Sequence, residues 1–564
     1  MTKHQSMVYL GSLHLIINYN FCCGNSPFLK GKRHSVKPLP EMLTVEAPHV
    51  AYSTDSITAE FSCETTTVQQ QGDDLVATPS TRRYALQTAR TVPHMGLMLV
   101  GWGGNNGSTV SGAIVANRHK LAWRSKTGEH HPSFLGSLVQ ASTCRLGCDS
   151  EGNAVHVPVS QLLPLVSPND LVLGGWDISK LNLAESVQRA QVFDYDLQLK
   201  LEPYLKSMVP LPSVYRPGFI AANQESRADN ILKGSLSVQL EELRRNIREF
   251  KAKHSLDCVT VMWTATTEKC VPITKGFNDT AANILAAIKA DHELVAPSAL
   301  FAVAAIQEKS AFINGAPQNT LTPAILELAS INGVHVAGDD FKSGQTKLKS
   351  VLVDFLVSAG IKPLAITSYN HLGNNDGHNL SQEEQFRSKE LSKSNCISDV
   401  VDSNHILYPR SSTKGTPSDD HNTVDHTVVI KYVPTVADDK RAIDEYVSEL
   451  FMGGRSIISI YNVCPDSLLA APLILDLCIL TELFSRIKIK ELAHGEKVSD
   501  SLDGFEQMDN VLGILGYFLK APVVRPGDLV VNALAQQRQC IINLMRACIG
   551  LAPEHYMHTG VFRN

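Results

Sequence analysis

The sequence predicts an α/β fold: a mostly parallel sheet covered by helices on both faces, interrupted by an inserted α+β domain. Short apolar runs alternate with helical periodicity, and the first run ends in a glycine-rich turn that opens a helix. Near residue 346 this alternation gives way to polar stretches and an alternating strand, then resumes toward the C-terminus. With 564 residues, 43% of them hydrophobic, the chain exceeds what one core usually organises, so two or more domains are expected.

Taken in order, residues 1–60 mix Pro, Ser, Thr and His without a sustained period and read as an extension. A helix-like stretch follows from Tyr84 to about Val92, then the buried-strand run Gly96-Leu-Met-Leu-Val-Gly101 and a helical pattern over 108–118. Further strands are predicted at 170–174, 258–263 and 333–338, each followed by polar or glycine residues. In open sheets of this kind ligands sit beyond the carboxyl ends of the strands, so the residues following these runs are where a site is sought. Residues 411–425 are polar, contain Gly and Pro, and read as a surface loop before the strand 427–433. The apolar run 468–483 is broken by Pro472, Asp476 and Glu482, which predicts a buried helix rather than a membrane span.

Composition narrows the function. Lys plus Arg total 51 against 56 for Asp plus Glu, a formal charge of -5 that gives no general reason to bind nucleic acid or an anionic membrane. The twelve cysteines are scattered, and neither Cys22-Cys23 nor Cys144 with Cys148 forms a zinc knuckle or a redox pair. Reduced thiols of a cytoplasmic protein are the expectation. The apolar stretch 7–23 is interrupted by His14, Asn18 and Asn20, so no signal peptide is predicted.

The turn itself is Gly101-Trp-Gly103-Gly104-Asn105-Asn106-Gly107-Ser108-Thr109. Between a strand and a helix, such glycines let the backbone approach a pyrophosphate that faces the unpaired N–H groups of the helix start. A second strand is expected near 121–123, yet no clear acid follows it at the usual spacing for a ribose contact; Glu129 is the nearest. Asp177, in Gly175-Trp-Asp-Ile178, is the other choice, with a helix N-cap as its ordinary alternative.

Six segments carry a resemblance. GWGGNNGST from Gly101, INGAPQNT from Ile313, GDDFKSGQTKLKS from Gly338, SYNHLGNNDG from Ser368, FRSKELSKS from Phe386 and DSLLAAPLILDL from Asp466 occur in one order over residues 84–550. The chain resembles the eukaryotic myo-inositol 1-phosphate synthase family, also called inositol-3-phosphate synthases. The resemblance implies a Rossmann-type NAD-binding domain over 61–345, an inserted catalytic and tetramerisation domain over 346–467, and a return to the first domain over 468–564. A cytoplasmic homotetramer acting on glucose 6-phosphate is implied, with no nucleic acid or membrane partner.

The NAD contacts implied are Gly101, Gly103, Gly104, Asn105 and Asn106 of the turn, then Asp177, Ser213, Val214, Gln224 and Arg227. Thr264, Ala265, Thr266, Thr267 and Gly315 follow, with Asp340, Ser343, Asn374, Asn375, Asp376, Lys389, Asp438, Asp466 and Ser467. This sequence has Thr266, Ala316 and Pro465 where the family usually has Asn, Ser and Glu, so side-chain contacts there are weakened while backbone contacts survive. The reaction implied is oxidation at carbon 5 by NAD, proton loss from carbon 6, aldol closure onto carbon 1, and return of the hydride. Negative charge develops on oxygen at each stage, which calls for fixed cationic donors in a site closed to water.

Lysine suits both donor and base roles because its pKa falls readily on burial. Lys389 and Lys393, four apart, share one face if their segment is helical, and like charges so placed are expected to depress each other's pKa. On residues alone they read as a solvated helix face; the resemblance makes Lys389 the leading acid–base group and gives Lys393 a substrate oxygen or phosphate. Lys440 and Lys520 complete the set, near the phosphate and carbon 5 and at the carbon 1 oxygen respectively. Ser343, Gly344, Gln345 and Thr346 open a helical pattern and are implied to cradle the phosphate, against an ordinary N-cap role for Ser343. Asn370 and Asn374 are assigned to the sugar, and His371 and His378 are left structural. Asp340, Asp438 and Asp466 are each open to three roles: cap, lysine partner, or ligand to a monovalent or divalent cation. No spacing fixes a metal site. The rival readings are an NAD-dependent sugar-phosphate dehydrogenase with net redox and a non-catalytic NAD-binding homologue.

Overall fold

Uninterrupted apolar runs can be satisfied only in a sheet covered on both faces, and the first such run shows how. In the computed structural model, which describes residues 43–409, 423–493, 495–496, 503–520 and 522–555, with Asn395 described by its backbone alone, this run is strand β1 (Met95–Val100). Its side chains alternate between two cores. Leu97 and Leu99 pack with Val110 and Ile114, while Met98 and Val100 pack with Ile247 and Phe301.

The other members of this sheet are β2 (Val172–Asp177), β3 (Leu211–Pro212), β4 (Cys258–Trp263), β5 (Ala311–Asn314) and β6 (Val336–Ala337), all parallel. Their order, β3-β2-β1-β4-β5-β6, reverses direction beside β1, and ligands bind in α/β sheets at such a switch point. Helix α1 (Asn105–His119) follows β1, α2 (Leu183–Ala190) follows β2, and α3 (Pro297–Gln307) lies between β4 and β5. The Asn182 side chain and Glu185 form a capping box at the start of α2, which fixes where that helix begins.

A second sheet rises from helix α4 (Gly344–Ser358). Strands β7 (Lys362–Leu372), β8 (Asp425–Tyr432), β9 (Asp439–Glu449) and β10 (Arg455–Pro465) lie in the order β8-β7-β9-β10. One face packs on Val353 and Val357 of α4 through Ile366 and Tyr446. Helix α5 (Glu383–Ser394) bridges toward the first sheet, and α6 (Asp466–Ser485) returns the chain to pack with α1 and β1. Among the described residues α6 is the one helix long and apolar enough to cross a membrane, yet it is largely buried in the protein's own core.

Two local expectations fail. Residues 84–92 are not helical: Asp74–Ala89 is a strand paired residue by residue with Ser56–Gln71, Ile57 opposite Thr88 and Ala59 opposite Leu86. Cross-strand burial overrides the helix preference of Ala, Leu and Gln there. Nor does a sheet strand lie at 121–123, because Trp123–Ser125 pairs only with Gly128–His130 in a small ribbon. The second strand of the sheet is β2. The N-terminal stretch through residue 42, including 7–23, and positions 410–422 of the loop lie outside the described residues.

Candidate active site

The first turn is shaped by what cannot fit. Gly101 has φ +84°, and a Cβ there would stand 2.6 Å from the Cα of Ala265 in the turn after β4. Gly104 precedes α1 with no side-chain cap on the helix start and no acid in its first turn, so the N–H groups of that turn are left for an anion in the crevice. Asp177, at the end of β2, is buried beside this turn and accepts from the Ser179 backbone at 2.9 Å. Burial raises its pKa, opposed by that hydrogen bond and by Arg227 and Arg189. These features fit a dinucleotide: a cradle without Cβ atoms, an uncapped helix start and an acid at the neighbouring strand end. They also replace Glu129, which lies on the outlying ribbon, as the acid near the turn.

One cavity collects the strand ends. Its wall takes Gly101, Gly104, Asn105, Asn106, Asp177, Ser213, Val214, Arg227, Thr264, Ala265, Thr266, Thr267 and Gly315 from the first sheet's side. Asp340, Ser343, Asn374, Asn375, Asp376, Lys389, Lys440, Asp466, Ser467 and Lys520 close the other side. Asp376 ties the halves together, accepting from the Thr267 N–H at 2.9 Å and its hydroxyl at 3.0 Å. Asn375 donates to Gln224 Oε1 at 2.8 Å, and Arg227 donates to the same oxygen at 3.2 Å. Gln224 thus stands behind the wall and aligns two residues on it. Asp438 is likewise behind, accepting from Asn105 at 3.0 Å and from the Ser467 hydroxyl at 2.7 Å. Burial raises its carboxyl to about 6 despite those donors.

Asp340 is the hub of the charged end. Its backbone is left-handed, φ +57°, an uncommon state for a side-chain-bearing residue. Oδ1 accepts from Lys389 at 3.1 Å, and Oδ2 accepts from Lys520 at 2.8 Å and from the Ser392 hydroxyl at 2.9 Å. Burial pushes the carboxyl up, but Lys389 and Lys520 overcome it and hold Asp340 far below the ordinary range. Lys389 does not follow the expectation of mutual depression. Burial lowers it, yet Asp340, Asp376 and Asp466 outweigh burial and raise it above lysine's usual value. Lys520, surrounded by Lys389 and Lys440 as well as Asp340, is brought down by burial to about 8. Lys440 stands 3.6 Å from Asp466, whose carboxyl is pushed up by burial but held below its usual value by Lys440, Lys389 and Lys520.

Of the other predicted residues, Ser343 is on the wall while Lys393, Asn370, Gly344, Gln345, Thr346 and Gly103 are not. Lys393 is buried with its Nζ donating to Asn370 Oδ1 at 2.9 Å, and burial followed by Lys440, Lys520, Lys349 and Lys389 lowers it well below its ordinary pKa. Ser343 occupies the N-cap of α4 without a side-chain cap bond and lines the cavity. Gly344, Gln345 and Thr346 continue the helix away from the wall, with Gln345 Nε2 donating to Asp444 at 2.6 Å. Gly103 is off the wall, its carbonyl accepting from Arg189 at 2.8 Å. His378 stacks on Tyr432, a structural contact. Among the described residues no group of three His, Cys, Asp or Glu could hold a metal ion. Asp340 and Asp466 instead pair with lysines and Asp438 anchors the start of α6.

The sequence reading missed several wall residues. Arg189 adds positive charge near Asp177, Arg216 stands over the Phe219 ring, Phe219 and Phe341 supply apolar wall, and Glu268 contributes a buried carboxyl. Glu268 was within reach of a reading, being an acid directly after the Thr264–Thr267 turn. Arg189 on its helix carries no local sign of where it points.

The family model described as myo-inositol-1-phosphate synthase matches residues 95–546. The chain is 51% identical over 517 residues to inositol-3-phosphate synthase of Dictyostelium discoideum, covering 92% of this chain and 98% of that protein. It is 52% identical over 513 residues to inositol-3-phosphate synthase 1 of Homo sapiens, covering 91% and 88%. The crystal structure of inositol-3-phosphate synthase from Caenorhabditis elegans superposes with a TM-score of 0.87 at 46% identity, covering 93% of this chain and 99% of that one. With the matched region spanning both sheets and every lysine of the charged end, the chain belongs to the myo-inositol-1-phosphate synthase family.

Proposed function

We propose that this chain is an NAD-dependent isomerase that converts D-glucose 6-phosphate to 1D-myo-inositol 3-phosphate, the first step of inositol biosynthesis. The observation that carries the reading is the meeting of the glycine cradle with three lysines and two ion-paired carboxylates in one cavity. NAD, when bound, supplies hydride acceptance and return at one carbon. The protein's groups manage protons and charge. Lys389, held as ammonium by Asp340, serves as donor to the oxygen at carbon 5. Lys520, brought to about 8 and paired with the Asp340 carboxylate, takes the proton that leaves the carbon 5 hydroxyl on oxidation and supplies it to the carbon 1 oxygen as the ring closes. Lys393, oriented by Asn370 and lowered well below lysine's usual pKa, is the amine proposed to take a proton from carbon 6 and to return it to the carbon 5 oxygen on reduction. This gives Lys393 the base role first considered for Lys389. Ser343 and the start of α4 receive the phosphate, with Lys440 nearby, and Asn374 meets the sugar hydroxyls.

Purified protein supplied with glucose 6-phosphate and catalytic NAD should release inositol phosphate with no net NADH. Stoichiometric NADH and a keto product would instead identify a dehydrogenase.

A homotetramer is part of the proposal. The outer face of the second sheet is apolar and exposed, carrying Tyr369, Val429, Ile443, Ile457, Tyr461 and Val463. A face of that kind on a stable protein is normally covered by a partner, and light scattering should return the mass of four chains. A cytoplasmic location accords with ten described cysteines that are all free thiols.

A further inference from the structure

Behind the lysines of the cavity lies a buried cation that the scheme above does not use. Lys349, on α4, is 2% exposed, and its Nζ donates to Ser368 Oγ at 2.9 Å and to His426 Nε2 at 2.6 Å. Ser368, on β7, accepts through its carbonyl from Asn370 Nδ2 at 3.3 Å, and Asn370 Oδ1 accepts from Lys393 Nζ at 2.9 Å. A continuous chain of contacts therefore runs from α4 through β7 to the Lys393 amine on α5. Burying an ammonium is costly unless its donors are answered, and here two are answered, one of them by Ser368, which leads on to Asn370 and Lys393.

We propose that Lys349 is a positioning residue for Lys393, acting through Ser368 and Asn370. The inference rests on the reading of Lys393 as the proton-accepting amine. Lys349 holds the β7 backbone from which Asn370 orients that amine, and its positive charge opposes protonation of Lys393. The groups facing Lys349 are Cys396, Asp444 and Lys440, with His426 as a direct partner. Those facing Lys393 are Lys440, Lys520, Lys349 and its own helix neighbour Lys389. Of all these, Asp444 is the one acid, and Gln345 already engages it. His426 is brought to about 3 by burial and then by Lys349 and Lys393, so the ring stays neutral and accepts from Lys349 rather than competing for the charge.

The test is Lys349→Met in the full chain, which keeps most of the side chain's volume and removes the cation. Turnover at neutral pH should fall about tenfold to a hundredfold, the scale of losing support for a positioned acid–base group. The rising limb of kcat against pH should move to higher pH, because Lys393 then keeps its proton longer. KM for glucose 6-phosphate and Kd for NAD should stay near the parent values. Ser368→Ala removes one partner of the ammonium and should move the limb the same way by less; it decides the matter if Lys349→Met does not fold. An unchanged pH profile in a folded variant, alongside an inactive Lys393→Met, overturns the inference alone. Full turnover by Lys393→Met overturns the reading beneath it.

Discussion

Replacing Asp340 by Asn tests the charged end most directly. The substitution keeps the side chain's shape and one acceptor oxygen but removes the charge shared by Lys389 and Lys520. At 3.1 and 2.8 Å, each pair attracts by about 5 to 6 kcal/mol if the effective permittivity is about 20. Most of that offsets the cost of holding three charges away from water, and removing one partner of a buried pair typically leaves a loss of about 3–5 kcal/mol. The side chains involved are almost wholly enclosed, so solvent screening removes little of it. The expected result is a urea midpoint well below the parent's. Catalysis should suffer separately. Without its main counter-charge, Lys389 keeps only Asp376 and Asp466 against burial, so its pKa should fall and the donor at carbon 5 weaken. Removing a fixed donor of this sort costs about 10²–10³ in kcat. Inositol phosphate release measured across pH, beside urea unfolding followed by tryptophan fluorescence, reads both effects. A variant with the parent's midpoint and the parent's pH profile would refute the argument that Asp340 organises the two lysines.

Two further outcomes follow from single positions. Gly101→Ala forces a Cβ to within 2.6 Å of the Ala265 backbone at φ +84°; the strain of about 1–2 kcal/mol should weaken NAD binding about tenfold, and calorimetric titration giving an unchanged Kd would count against the cradle. Glu268 is raised from 4.5 to about 8 by burial, with the Ser298 donors opposing. Between those pH values the folded chain holds a proton that the unfolded chain has released. This group's contribution to stability is therefore present at low pH and is lost as pH rises, at up to about 1.4 kcal/mol per pH unit. Glu268→Gln should flatten that part of the urea stability profile; a slope identical to the parent's would place the carboxyl elsewhere in the titration.

Sequence by itself determined the local units of this protein. The apolar run before Gly101, the glycines that need positive φ or close approach, and the interruptions of the apolar run by Pro472, Asp476 and Glu482 each express short-range sterics and solvation, which neighbouring residues dictate. The long family segments supplied the chemistry and pointed to Lys389, Lys393, Lys440 and Lys520. What tertiary structure alone decided is the company those groups keep. Asp177 reaches the turn because β2 pairs with β1 despite the ribbons inserted between them, a pairing that no fixed spacing encodes. Residues 84–89 are a strand because a partner offers hydrogen bonds and burial that their own propensities do not favour. The lysines divide into a Lys389 raised above its usual pKa, a Lys520 near 8 and a Lys393 lowered well below it for the same reason. An ionisable group's pKa reflects charges and water within a few ångströms in space, and only the folded chain sets which of Asp340, Asn370 and Lys349 lie at that distance.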